Sequence, residues 1–174
     1  MPVLDPATTW SYLGTSLTHE ELVAAGDFLV RKKGPLSRMA ALRLAASVAY
    51  RTGIRAVRAA LADVRPKTES PKETELRLVI VGAGLPEPLV GCTVRDAKGD
   101  FVATPDLAYK RERIAIEYEG KQHFTDPRVY QEDILRYELL EEAGWLVIRV
   151  ISADLGARRH LLITRIARAL ARRR

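Results

Sequence analysis

The chain predicts an α/β protein in which a small helical region, residues 1–65, precedes a mixed-sheet domain over 66–174 with the element order α-β-β-β-α-β-α. Three features carry this expectation. Apolar residues recur at helical spacing as far as Arg65. Beyond it they gather in short runs bounded by glycine and proline. A long helical stretch then separates the third run from the fourth, which lets those two strands lie parallel through a right-handed crossover.

In the helical region, Thr18 and Glu21 make a capping-box pattern ahead of Leu22, Val23, Phe28 and Leu29. A second helix is expected over 36–50. A third starts after Gly53, where Ile54, Val57, Leu61 and Val64 form one apolar stripe and leave Arg51, Arg55 and Arg58 on a solvated face. Residues 65–69, with Pro66 and three charges, read as a linker. Ser70, Pro71 and Glu73 then supply the N-cap, first-turn and N3 residues of a helix that Gly82 or Gly84 ends. Strands are expected over 89–95 and 101–109, joined by a turn in which Gly99 takes a positive φ, and over 113–119. A helix opening at Asp126 and Pro127 closes at Gly144, and 145–151 is apolar enough for a strand buried on both faces. The last helix, from about Ala153, carries Arg158, Arg159, Arg165 and Arg168 and ends in Arg172, Arg173 and Arg174. Seven arginines there accompany a single acid, Asp154, which suits either a row of phosphate contacts or a solvated basic tail.

Composition narrows the class. With 174 residues, 47% of them hydrophobic and 29% charged, the chain can bury a core without staples. No apolar run approaches the roughly 20 residues of a membrane span, and residues 1–6 lack a signal-peptide pattern, so a cytoplasmic address and no membrane partner are expected. Cys92 is the only cysteine, which excludes disulfides and cysteine-based zinc sites; three scattered histidines do not replace them. A net charge of +6 favours polyanionic partners.

The densest chemistry lies between Thr104 and His123. Asp106, Glu117 and Glu119 fall within fourteen residues, and alternation along the third strand points both glutamates to one face. A hairpin centred between Arg111 and Glu112 sets Asp106 opposite Glu117 and Thr104 opposite Glu119, with facing side chains about 5 Å apart. Carboxylates at that distance repel unless a cation lies between them, and Mg²⁺ or Mn²⁺ is the simplest occupant, with Asp106, Glu117 and Glu119 as ligands. Were the same acids splayed into solvent or buried in separate ion pairs with arginines, neither the metal site nor metal-dependent hydrolysis would be expected. Arg136, three residues after Asp133, is placed either for a local ion pair or for a phosphate contact near the acids.

Several of these features together resemble the PD-(D/E)xK nuclease superfamily, the restriction-endonuclease-like fold, and within it the DUF559 group, whose relatives include the very-short-patch mismatch-repair endonucleases. The resemblance covers about 66–152. It rests on Ser70-Pro71-Lys72-Glu73, Pro105-Asp106, Ile116 to His123, Asp133 with Arg136, and Gly144-Trp145. It implies a Mg²⁺-dependent endonuclease that hydrolyses DNA, with Glu73 approaching as a third acid. Glu73 has a structural alternative as the acid of its own helix cap. The superfamily's lysine normally stands where this chain has Glu119, so Glu119 would act as general base or further ligand, with Lys121 as a nearby positive charge. His123 would transfer protons, as a histidine after the strand acids does in the mismatch-repair relatives. Arg136, Arg158 and Arg159 would contact nucleic acid. Many nucleases of this fold act as homodimers, although no interface is marked here. Residues 5–10 and 20–27 resemble a helical segment that precedes the nuclease domain in actinobacterial relatives and occurs in antitoxin-like regulators, and longer relatives carry a winged-helix region upstream. The competing expectation is therefore a non-catalytic nucleic-acid-binding or toxin-antitoxin regulatory protein that keeps the nuclease fold.

Overall fold

A computed structural model describes residues 4–48, 51–120 and 127–173. The chain divides into two units, Met1–Glu75 and Leu76–Arg174. The first is helical: α1 (Pro6–Tyr12), a short 3-10 turn (Leu13–Thr15), α2 (His19–Leu29), α3 (Met39–Ser47) and α4 (Ile54–Asp63). Asp5 caps α1 by accepting from the Ala7 and Thr8 N–H groups, and the Thr18–Glu21 capping box at the start of α2 forms as expected. Trp10, Leu22, Val23, Leu42 and Val57 are buried, and the Trp10 indole donates to the Leu22 carbonyl at 2.9 Å. The arginines in and just before α4 are less idle than their spacing suggests. Arg58 donates to the Ala46 carbonyl at 2.9 Å and Arg51 to that of Ala45 at 3.0 Å, so both serve the carbonyl end of α3, where positive charge is favoured.

The linker belongs to this unit because of Asp27. This buried carboxylate accepts from the Arg65 N–H at 2.6 Å and the Thr74 hydroxyl at 2.8 Å, tying residues 65–74 to α2. The boundary between the units thus falls within α5 (Pro71–Gly82) and not at residue 65.

The second unit has an α/β architecture with a mixed sheet. Its strands are β1 (Leu89–Val90), β2 (Val94–Arg95), β3 (Phe101–Ala103), β4 (Leu107–Tyr109), β5 (Ile114–Glu119) and β6 (Leu146–Ile151). The main sheet has the order β1-β4-β5-β6, with β5 and β6 parallel and the other pairs antiparallel; β2 and β3 form a separate ribbon. α6 (Pro127–Glu142) makes the crossover from β5 to β6, and a four-residue helix α7 (Ser152–Leu155) leads into α8 (Arg159–Arg172).

Two expected strands are each split. Gly91, with φ of 58°, turns the chain from the main sheet into the ribbon between β1 and β2. Thr104, Pro105 and Asp106 interrupt the next run, and proline has no N–H for a ladder. Gly99 takes the expected positive φ, with Asp96 accepting from the Lys98 and Asp100 N–H groups. The hairpin register also matches expectation, with Leu107 opposite Ile116 and Tyr109 opposite Ile114. β6 departs from it. It lies at the sheet's edge, and its exposed Arg149 stands between buried Ile148 and Val150, so it is not buried on both faces.

Alternation gives the sheet two covered faces. Leu107, Ile114, Ile116, Ile148 and Val150 pack with Leu76, Ile80, Leu162 and Ile166. On the other face the small Ala108 and Ala115 meet Leu140 and Trp145, together with Val94 and Ala103 of the ribbon. By parity, Glu117 and Glu119 lie on this second face, with α6. Among the described residues no helix is long and apolar enough to cross a membrane.

Candidate functional site

The break at Pro105 leaves Asp106 just beyond the β4–β5 ladder, where its carboxylate accepts from the Tyr118 N–H at 2.8 Å. Continuing the observed register sets Asp106 against Glu117, which is only 2% exposed. A buried carboxylate requires compensating charge. The Arg136 guanidinium on α6 supplies part of it, with Nη2 at 3.7 Å from Glu117 Oε2, an ion-pair separation longer than a hydrogen bond.

Glu119, two residues on, turns away toward β6. It pairs with Arg149 and also accepts from the Tyr137 hydroxyl at 3.4 Å. Parallel pairing explains this neighbour, because Arg149 stands opposite Glu117 in the β5–β6 register and its long side chain reaches the next acid on the same face. The Arg136 and Arg149 guanidinium groups lie 5.3 and 5.2 Å from the centroid of the Tyr137 ring. Burial pushes the Tyr137 phenol up to about 12, with the two glutamates adding to the rise and Arg136 opposing it.

The three strand acids therefore do not form one nest. Among the described residues no three histidine, cysteine or acidic side chains come together to hold a metal ion. The cation-free arrangement is met by Glu119, which Arg149 pairs, and only in part by Glu117, whose arginine stands 3.7 Å away. What remains compatible with a hydrated Mg²⁺ is the pair Asp106 and Glu117, since that ion is commonly held by one or two carboxylates and completes its shell with water and phosphate oxygens. A closed zinc site does not fit an all-oxygen pair.

The other expected residues fall as follows. Glu73 is buried in the helical unit, where it accepts from the Glu69 N–H at 2.9 Å while its own N–H donates to Ser70 Oγ at 3.2 Å, so it serves the start of α5. Arg158 pairs with Asp154 at 3.3 Å and Arg159 donates to the Leu155 carbonyl at 3.1 Å; both brace the junction of α7 and α8. Lys121, His123 and the side chain of Asp133 lie outside the described residues. Sequence reasoning missed Arg149 and Tyr137. Arg149 had a visible signal, a single charge within the apolar run Leu146 to Ile151, whereas nothing around Tyr137 marked it.

Two proteins of Mycobacterium tuberculosis, one from strain CDC 1551 / Oshkosh and one from strain ATCC 25618 / H37Rv, both described as uncharacterized, are 33% identical to this chain over 124 residues. The alignment takes in 71% of this chain, which spans about 45% of the length of these curated relatives. No family model and no solved structure matches the chain.

Proposed function

We propose that the protein is a restriction-endonuclease-like phosphodiesterase that hydrolyses DNA with Mg²⁺ held by Asp106 and Glu117. The observation that carries this reading is the Asp106 carboxylate held at 2.8 Å on the N–H of Tyr118, the residue next to the buried Glu117, on a mixed sheet whose β5–α6–β6 crossover supports the resemblance. Bound there, the ion would polarise a phosphate oxygen and make a water molecule acidic enough to supply hydroxide. Tyr118 contributes its N–H, which fixes the rotamer of Asp106. Arg136 offsets the charge of Glu117, and the Glu119–Arg149 pair sets a second guanidinium beside the same acids.

The arginine partners of Glu117 and Glu119 favour a second reading, a non-catalytic nucleic-acid-binding or toxin-antitoxin-type protein on the same scaffold. Titration calorimetry with Mg²⁺ and Mn²⁺, alongside plasmid cleavage, separates the two. The enzyme reading expects millimolar or tighter binding and nicking that Asp106→Asn abolishes. That variant keeps an oxygen acceptor for the Tyr118 N–H, so its folding should be preserved. Cleavage at the parental rate by Asp106→Asn, or no metal uptake at all, would leave the second reading standing.

A further inference from the structure

At the open edge of the sheet, β6 and the exposed side of α8 enclose a groove of about 930 Å³. Arg149, Arg165, Arg168 and Arg172 line it, with Leu146 and Leu161 as its exposed apolar surface, and no carboxylate lines it among the described residues. Positions 161, 165, 168 and 172 share one helical face. The arginines at 165, 168 and 172 are staggered by roughly 4.5 and 6 Å of helical rise. Among the described residues no carboxylate pairs with Arg165, Arg168 or Arg172, whereas Arg149, at the inner end, pairs with Glu119.

We propose that this groove carries the phosphate backbone of a nucleic-acid strand, which runs from Arg172 past Arg168 toward Arg149, the arginine that pairs with Glu119. A file of guanidinium groups matches a repeating monoanion, and each fork can take a phosphate through two parallel hydrogen bonds. An extended acidic peptide adding to the edge of β6 fits less well. The Ile151 N–H already donates to Asp154 at 3.1 Å, and the Arg149 carbonyl already accepts from Arg165 at 2.8 Å, so strand addition would have to break both bonds. The proposal rests on the phosphodiesterase reading only for the direction of the path.

The test is fluorescence anisotropy with a labelled DNA oligonucleotide in chelator, over a series of salt concentrations, with the full chain. Arg168→Ala/Arg172→Ala should weaken binding about tenfold and reduce the slope of log K against log salt by about 1.5. Arg38→Ala/Arg43→Ala removes the same charge from the helical unit and should leave the slope unchanged. Equal effects of the two pairs, or none from the groove pair, would overturn the proposal. Competition by poly-glutamate as effective as by unlabelled DNA would overturn it in favour of an acidic protein segment. Since no metal is present, these outcomes are independent of whether Asp106→Asn stops cleavage: loss of cleavage with an unaltered groove slope would sink the track and spare the enzyme.

Discussion

Arg136 and Arg149 each face a strand glutamate, but their removal should have unequal consequences. Glu117 is almost wholly buried, so Arg136→Ala deprives an enclosed carboxylate of a nearby cation; because Arg136 is about one-third exposed and 3.7 Å away, the expected loss is about 1–2 kcal/mol rather than that of a fully buried pair. Urea unfolding measures it, and Mg²⁺ should restore part of it if the ion takes the place of the guanidinium. The Arg149 side chain is half exposed, and Arg149→Ala should cost less than about 1 kcal/mol. Tyr137 adds a pH signature. Its phenol is held up to about 12 in the folded protein, chiefly by burial, whereas an unfolded tyrosine ionises near 10. Stability should therefore be intact below pH 10 and fall between pH 10 and about 12, and Tyr137→Phe should remove part of that fall in alkaline unfolding followed by circular dichroism. At this scale the sequence revealed the acids, because two-residue alternation and hairpin register are local rules. Their arginine partners come from β6 and α6, and which face those side chains reach depends on strand order, which no local rule supplies.

The elements themselves were largely legible where capping and turn chemistry act over a few residues. Thr18–Glu21, Gly99 and the even-length turn before β5 all behave as their sequences imply. Strand continuity was not, since an apolar run does not reveal that Gly91 and Pro105 will redirect it between two sheets. The position of β6 was misjudged for a related reason: its apolar residues would suit a central strand, and only the absence of a further described strand beyond it exposes one side. Close packing in the helical unit was also silent in the sequence. Gly53 adopts φ of 78°, and a Cβ there would meet the Gly14 carbonyl carbon at 2.6 Å. Gly53→Ala should accordingly lose more than about 2 kcal/mol through combined backbone strain and overlap. Gly82→Ala offers the comparison in the same urea titration, since a Cβ there meets nothing within 4 Å, and it should cost little or nothing.

At the scale of the whole molecule, the positive charge is unevenly distributed, with seven arginines after Ala153 against one acid. α8 uses its apolar side to cover the sheet and leaves most of these arginines outward, so one element serves both core and surface. The two hydrogen bonds that occupy the rim of β6 have a further effect. A bare outer strand invites identical chains to stack on it, and Asp154 and Arg165 deny them a foothold. Concentrated solutions should consequently stay clear and free of fibres, while Asp154→Ala/Arg165→Ala should scatter light and bind thioflavin at lower protein concentration than the parent.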